Sequence, residues 1–89
     1  MGPGPQDGVR VNCICPAGVA TPLLERWFEE QADPQATRTA LDRIHPLGWT
    51  ARPEEIAAVV EFLASPGASY VTATTIITDG GIMLSSPGL

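Results

Sequence analysis

Few side chains in this sequence are of the types that carry chemistry. The two cysteines, Cys13 and Cys15, stand two residues apart, and the one histidine is His45. A structural zinc site needs four ligands, so a C-x-C pair with one distant histidine falls short of a metal centre. Alternation along a strand directs both cysteine side chains to one face, and a disulfide between them would be badly strained. We therefore predict two free thiols buried in a core and no metal site, with His45 as a capping or loop residue.

The glycine pair that follows the last β-branched run resembles a phosphate loop only in composition. Asp79, Gly80 and Gly81 are followed by I-M-L-S-S-P-G-L, whereas a glycine-rich phosphate loop leads into the N-terminus of a helix. The sequence therefore predicts a simple turn at this position.

The strongest chemical signal is a loop, Pro16–Thr21, inside the stretch R-V-N-C-I-C-P-A-G-V-A-T-P that runs from Arg10 to Pro22. A β-rich run, a Pro-x-Gly break and a Thr-Pro helix start follow one another here. Ligands of open α/β sheets bind outside the carboxyl ends of the strands, where small residues let backbone N–H groups come close. The loop is therefore the candidate ligand-binding segment.

The elements around this loop follow from hydrophobic periodicity and from helix-start signals. Thr21 and Pro22 predict an N-cap and a first helical residue. The predicted order is a strand at Val9–Cys15, an amphipathic helix carrying Leu23, Leu24, Trp27 and Phe28, a second helix at Gln35–Ile44, a third at Pro53–Ala64 with Ile56, Val59, Val60, Phe62 and Leu63 as its core stripe, and a strand covered on both faces at Ala73–Thr78.

This order of strand, helices and strand predicts one βαβ unit with parallel strands and a right-handed crossover. The predicted organisation is a flexible lead-in at residues 1–8, the α/β unit at 9–81 and a tail at 82–89. Two parallel strands leave unpaired edges and an uncovered face. The unit is therefore expected to pack against something that it does not itself encode.

Length and charge exclude several function classes. The chain has 89 residues and a net charge of −5, from ten acidic residues against five arginines. No basic cluster occurs, so binding to nucleic acids or to anionic membranes has no electrostatic basis. No signal peptide and no apolar run near 18 residues can be recognised, which favours a cytoplasmic protein. A chain of this length buries only about 60–65% of its unfolded surface, so one marginal domain is expected.

The motifs, taken together and in order, resemble the C-terminal part of a short-chain dehydrogenase/reductase, a Rossmann-fold oxidoreductase that uses NAD or NADP. The matching segments are G-V-R-V-N-C-I-C-P at 8–16, V-A-T-P at 19–22, H-P-L-G at 45–48, R-P-E-E-I-A-A-V-V-E-F-L-A-S at 52–65, A-S-Y-V-T at 68–72 and D-G-G at 79–81. The resemblance implies a partial Rossmann fold, with Val9–Cys15 and Thr74–Thr78 as the last two parallel strands of a larger sheet.

The resemblance also implies roles for the loop. Pro16 and Gly18 would shape the nicotinamide pocket, the backbone of Val19 would pair with the carboxamide, and Thr21 would meet the carboxamide or the pyrophosphate. The segment Leu23–Ile44 would be the substrate-covering lid. The stripe Leu23, Leu24, Trp27 and Phe28 is then either the wall of the substrate site or simply core.

Some positions depart from the family pattern. The glycine that usually follows the strand-ending proline is displaced here to Gly18, behind Ala17. Trp49 stands where a basic residue is common, and Ala51 and Ala73 stand where glycines are common.

The family's glycine-rich turn, ribose-reading residue, catalytic Ser and Tyr-x-x-x-Lys pair would all lie upstream and are not among these 89 residues. The chain has one tyrosine, Tyr70, and no lysine. Acid–base catalysis needs a positioned proton donor of matched pKa. We expect no hydride transfer and weak or absent cofactor binding by this chain alone.

Two hypotheses follow. In the first, the chain is a C-terminal fragment of an NAD(P)-dependent short-chain dehydrogenase/reductase that acts on an alcohol/carbonyl pair. In the second, it is a non-catalytic module for self-association or partner binding. In the family, the segments that match the 53–64 helix and the 74–78 edge strand often form a subunit interface, so a homo-oligomer is expected.

Overall fold

The chain forms a two-stranded parallel sheet with three helices inserted between the strands. The structure, a computed structural model, describes residues 2 and 4–85. The elements are β1 (Cys13–Pro16), α1 (Pro22–Glu29), α2 (Pro34–Arg43), α3 (Pro53–Ala64) and β2 (Thr75–Thr78), with 3-10 turns at Pro5–Asp7, Pro66–Ala68 and Ile82–Ser85. In the parallel ladder Cys13 lies opposite Thr75 and Pro16 opposite Thr78. The predicted βαβ unit with parallel strands is confirmed.

The helices begin where local signals place them. Each has a proline in its first turn. The Thr21 hydroxyl accepts the Leu24 N–H at 3.3 Å, and the Asp33 carboxylate accepts the Ala36 N–H at 3.1 Å. Each side chain thereby satisfies one of the N–H groups that a helix start leaves unpaired. α3 has the predicted bounds, and α2 begins and ends one residue before its predicted bounds.

The strands are shorter than predicted. Val9–Cys15 was expected as a strand, but the regular ladder begins only at Cys13. Opposite its start, Ala73 has a φ of +59°, so the chain before β2 cannot continue an extended ladder. The preceding segment is held differently: the Val11 N–H donates to the Thr72 hydroxyl at 3.1 Å and the Val11 carbonyl accepts the Ala73 N–H at 2.7 Å.

Side chains fasten the chain on the amino-terminal side of β1. The Asn12 amide donates to the Val71 carbonyl at 3.1 Å, and its oxygen accepts from the Thr74 N–H at 3.1 Å and the Thr74 hydroxyl at 2.6 Å. The Arg10 guanidinium donates to the Val71 carbonyl at 3.1 Å and to the Leu63 carbonyl at 2.8 Å. Arg10 thus places a cation at the C-terminus of α3, where the helix dipole favours it.

The core is sparse. The buried apolar residues described are Phe28, Leu63 and Ala68. In the predicted stripe of α3, Leu63 is buried and Ile56 and Val59 are partly buried, whereas Val60 and Phe62 are 50% and 52% exposed. The stripe therefore forms a core only in part.

The cysteines and β2 depart from prediction in burial. Both thiols are free but exposed, not buried. β2 was expected to be covered on both faces, yet Ile77 is 52% exposed. Both differences have one cause: within residues 2 and 4–85 no layer covers the face of the sheet that carries Cys13, Cys15 and Ile77.

The ends and the helices bear on two further predictions. The predicted tail, 82–89, opens with the 3-10 turn Ile82–Ser85, and residues 86–89 lie outside the described part of the chain, as do residues 1 and 3 of the predicted lead-in. None of the helices described has the length and apolar character needed to cross a bilayer.

Candidate functional site

The loop Pro16–Thr21 lies at the carboxyl end of β1 and is anchored to the segment before α3. Val19 and Ala51 form an isolated parallel bridge. The Ala51 N–H donates to the Gly18 carbonyl at 3.1 Å, and the Ala20 N–H donates to the Ala51 carbonyl at 2.8 Å. These contacts anchor the loop to the 49–52 segment and fix the positions of its remaining backbone groups.

Val19 presents an unused backbone donor in this anchored loop. Its carbonyl accepts the Thr21 N–H at 2.8 Å, while its own N–H has no hydrogen-bond partner among the described residues. A carbonyl oxygen has two lone pairs, so this one can accept a second bond. Donor and acceptor on one residue can pair with a primary carboxamide, which also carries both.

Thr21 joins the loop to α1. Its hydroxyl oxygen accepts the Leu24 N–H, which leaves the hydroxyl hydrogen free to donate outward. Because the N-terminus of a helix carries a partial positive charge, an anionic group is favoured near this position. Thr21 can therefore serve a carboxamide oxygen or a phosphate oxygen.

Gly18 lies in a closely packed position. A Cβ at this position would lie 3.3 Å from Thr50 Cγ2 and 3.5 Å from His45 Cε1. On the other side of the imidazole, Gly80 has a φ of +61°, and a Cβ there would lie 3.3 Å from His45 Cβ. His45 is therefore enclosed between the loop after β1 and the turn after β2, and the displaced glycine serves this contact.

His45 is 3% exposed. Its Nδ1 lies 2.8 Å from the Leu41 carbonyl, which only accepts, so Nδ1 carries the proton of this hydrogen bond. His45 thus caps α2, which confirms its predicted capping or loop role. Its burial has no local signal in the sequence, because it arises from packing against the distant Gly80.

Two residues that carry unpartnered polar atoms line a cavity beside the loop. Neither His45 Nε2 nor the Thr78 hydroxyl has a partner in the described structure, and both are buried. Both residues line a cavity of about 160 Å³ that Gly18 and Trp49 also line. Buried polar groups of this kind are commonly satisfied by ordered water, and the cavity has room for it.

Trp49 occupies the position where a basic residue was expected, and it supplies a donor there. Its indole N–H donates to Glu55 Oε1 at 2.9 Å, and the Arg52 N–H donates to the same oxygen at 2.9 Å. These two hydrogen bonds, the Arg52 bond first, hold the pKa of Glu55 below its ordinary value. Glu55 therefore fixes the 49–52 segment, to which the loop is anchored.

The predicted lid residues divide into two sets. Leu23, Leu24 and Trp27 line, with Thr21, a groove of about 500 Å³ along α1. Phe28 does not line it: the ring is 1% exposed and lies 4.5 Å from the guanidinium of Arg38 on α2. The structure therefore brings the first three together beside a predicted cofactor residue and places Phe28 in the contact between α1 and α2.

Comparisons with known proteins agree with this architecture. Residues 4–83 match the family described as enoyl-(acyl carrier protein) reductase. The 3beta-hydroxysteroid dehydrogenase 1 of Eggerthella lenta is 47% identical over 77 residues, which is 86% of this chain and 28% of that protein.

Solved structures agree as well. The crystal structure of the Cj0485 dehydrogenase superposes with a TM-score of 0.87 at 37% identity, over 96% of this chain and 33% of that one. A 4-hydroxyisoleucine dehydrogenase in complex with NADH superposes with a TM-score of 0.76 at 26% identity, over 92% and 32%. The chain thus spans about a third of the length of these relatives. It belongs to the short-chain dehydrogenase/reductase family of Rossmann-fold oxidoreductases.

Proposed function

We propose that this chain supplies the nicotinamide side of the cofactor pocket in an NAD(P)-dependent oxidoreductase that acts on an alcohol/carbonyl pair. The observation that carries the proposal is the unused N–H of Val19, held beside Thr21 at the carboxyl end of the parallel strands. When bound, the cofactor accepts or gives up a hydride.

The loop residues fit the polar ends of such a cofactor. The Val19 N–H donates to the carboxamide oxygen, and the Val19 carbonyl accepts from the carboxamide nitrogen. The Thr21 hydroxyl donates to the carboxamide or to the pyrophosphate, whose negative charge the N-terminus of α1 favours. Pro16 and Gly18 form part of the wall of the nicotinamide pocket. The bridge to Ala51 and the contact with His45 fix the course of the loop there.

We infer that the groups which exchange the proton lie outside these 89 residues, so that the chain acts as the C-terminal part of a longer protein. The sequence contains no lysine. Its single tyrosine, Tyr70, is fully exposed and precedes β2, whereas the loop follows β1. Since the strands are parallel, Tyr70 is at the opposite end of the sheet. Cofactor binding by this chain alone is accordingly weak.

Self-association belongs to the same proposal. Val60 and Phe62 expose apolar surface on α3, and β2 pairs only with β1 among the described residues. These features suit a homo-oligomer through the 53–64 helix and the 74–78 edge strand. A cytoplasmic location is part of the proposal too. Because the relatives are dehydrogenases, we do not favour a purely non-catalytic module.

A chimera tests the proposal. Residues 4–83 replace the aligned segment of the E. lenta 3beta-hydroxysteroid dehydrogenase 1, and NAD(P)-dependent oxidation is followed by nicotinamide absorbance. We expect turnover by the chimera and none by the 89-residue chain. A chimera that folds, as judged by circular dichroism, but binds no reduced cofactor in a fluorescence titration would contradict the proposal.

A matched pair of variants addresses the loop in that chimera. Thr21→Val removes the hydroxyl and should weaken cofactor binding roughly tenfold, the equivalent of about 1.4 kcal/mol for one lost hydrogen bond. Thr21→Ser keeps the hydroxyl and should bind as the unmodified chimera does. Equal cofactor affinity in both variants would show that the Thr21 hydroxyl does not bind the cofactor.

A further inference from the structure

One face of α1 carries an apolar stripe that the described residues leave largely exposed. Leu23 and Trp27 lie one helical turn apart on this face, and Glu30 follows one turn later. Leu23 is 73% exposed and Trp27 is 46% exposed. Phe28 is buried and packs against Arg38 of α2, so the contact between the two helices uses a different face of α1. The stripe is therefore open to a ligand that lies along α1.

The groove over this stripe begins at the cofactor loop. Thr21, which binds the cofactor under the proposed function, lines the same groove of about 500 Å³ as Leu23 and Trp27. A carbon that exchanges a hydride must lie beside the nicotinamide, so a substrate placed there continues along α1. Binding sites for small molecules commonly have volumes of about 300–1,000 Å³. The position and the size of the groove therefore fit a substrate site.

The length of α1 sets the length of the substrate. Thr21 is the N-cap of the helix and Glu30 its C-cap, and at 1.5 Å per residue the two are about 13 Å apart. A single six-membered ring covers only part of this distance. A rigid substrate of two or more rings spans more of it, offers a broad apolar surface to the indole of Trp27 and loses little conformational entropy on binding.

Two opposite charges line the groove toward the C-terminus of α1. Arg26 and Glu30 both line it, and within the described residues neither side chain takes part in an ion pair or a hydrogen bond. A charged group at this end of a substrate would be attracted by one of them and repelled by the other. A hydroxyl or carbonyl group can use the Arg26 donors or the Glu30 acceptors. This end of the groove therefore favours an uncharged polar group.

We propose, on the basis of the proposed function, that the groove binds an uncharged, largely apolar alcohol or ketone built from two or more rings. Trp27 determines this specificity, because it packs against the ring that is remote from the reacting carbon. The reacting end lies beside Thr21, and the remote end lies near Arg26 and Glu30. The alcohol carbon passes its hydride to the cofactor, and the hydroxyl proton leaves to groups outside these 89 residues, which gives the ketone.

Four alcohols test this specificity in the chimera that carries residues 4–83, with nicotinamide absorbance as the measure. Cyclohexanol has one ring and 4-cyclohexylcyclohexanol has two. The diol 4,4′-bicyclohexanol adds an uncharged polar group at the remote end, and a carboxylate in its place adds a charge. We expect kcat/KM to be at least about tenfold higher for both uncharged two-ring alcohols than for cyclohexanol, because the second ring buries apolar surface. The carboxylate should be the poorest of the two-ring substrates.

Variants at Trp27 assign the preference to this side chain. Trp27→Ala should lower kcat/KM for 4-cyclohexylcyclohexanol at least about tenfold, and it should change the value for cyclohexanol less than about threefold, because a single ring does not reach the indole. Trp27→Phe keeps an aromatic ring and should restore most of the two-ring activity. Glu29→Ala, at an exposed position of α1 outside the groove, should leave all four values unchanged.

The outcomes separate this proposal from the proposed function. A chimera that binds reduced cofactor but shows no preference for two rings, prefers the carboxylate, or turns over none of the four alcohols overturns the assigned specificity. An equal loss for one-ring and two-ring alcohols in Trp27→Ala also overturns it and makes the stripe a packing surface for the rest of the protein. A folded chimera that binds no reduced cofactor contradicts the proposed function itself.

Discussion

Ala73 has the most unusual backbone geometry of any non-glycine residue described, with a φ of +59°. A side chain in this left-handed region costs about 1 kcal/mol. The resemblance to the family implies a glycine at this position, and the observed φ is one that glycine adopts without strain. The alanine is also where the regular ladder between the strands stops.

Ala73→Gly should therefore stabilise the chain by about 0.5 kcal/mol, because the strain of about 1 kcal/mol that it removes exceeds the roughly 0.5 kcal/mol of entropy that glycine adds to the unfolded state. The free energy of unfolding from urea titration measures this change. Ala57→Gly, at an exposed position inside α3, is the matched control and should destabilise by about 1 kcal/mol. A73G with a lower unfolding free energy would show that Ala73 is not strained.

Asn12 is the residue on which the amino-terminal side of β1 depends. It makes three hydrogen bonds to the segment before β2. Asn12→Ala should lower the free energy of unfolding by about 2–3 kcal/mol, at about 1 kcal/mol for each bond. Thr74→Val removes one of these bonds and should cost about 1 kcal/mol in the same measurement. Equal losses for the two variants would contradict the bridging role.

At the scale of single residues, the candidate residues could be predicted from the sequence, but the burial of their side chains could not. The two thiols share a face because strand alternation is local, but their exposure depends on which layers cover the sheet. His45 caps α2 as predicted, whereas its burial depends on Gly18 and Gly80, which the fold brings together from distant positions. Side-chain burial is a property of the assembled chain.

The α1–α2 pair is held by one charged side chain at its centre. The Arg38 guanidinium makes a two-pronged ion pair with the Glu25 carboxylate and lies over the Phe28 ring. The hydrogen bond from Arg38 lowers the pKa of Glu25 below its ordinary value of 4.5, while burial opposes the shift.

The pair should therefore contribute to stability in a pH-dependent manner. The folded-state pKa is the lower one, so the contribution is complete above the ordinary value and is lost as pH falls through the folded-state pKa. Glu25→Gln should flatten the acid side of a plot of urea midpoint against pH. Glu29→Gln, an exposed acid on the same helix, should leave that slope unchanged. A slope that persists in E25Q would assign the acid dependence to other carboxylates.

Elements whose signals are local were predictable, and those that need distant partners were not. α3 has its predicted bounds because Pro53 and the two glutamates after it mark its start and Pro66 follows its end. β1 starts four residues later than predicted because the start of its ladder is set by Ala73, sixty residues away. The loop Pro16–Thr21 was predictable from composition, but its anchoring to Ala51 was not.

The molecule as a whole exposes more surface than its mass explains. Its accessible surface is 6496 Å² and its radius of gyration 16.8 Å. A compact monomer of this size has about 5,000 Å² and about 12 Å. The excess of about 1,500 Å² is close to what one chain contributes to a large interface. This excess area is a measure of the surface that is predicted to pack against a partner not encoded in these residues.

We expect the 89-residue chain to be larger than a monomer in solution, because α3 and β2 expose apolar surface. Light scattering of the chain under reducing conditions measures this mass. The double variant Val60→Asp with Phe62→Asp should reduce the average mass toward that of one chain. The double variant Ala57→Asp with Glu61→Asp, at positions also exposed on α3, should not change the mass. A well-folded monomer from the unmodified sequence would count against an interface at α3.

The tryptophans flank the loop on two sides: Trp27 lines the groove that includes Thr21, and Trp49 lines the cavity that includes Gly18. Indole emission overlaps the absorption of a reduced nicotinamide but not that of its oxidised form. A cofactor seated on the loop would quench both fluorophores by resonance energy transfer when reduced and spare them when oxidised. Under the proposed function, this quenching would report the redox state of the bound cofactor without any added label.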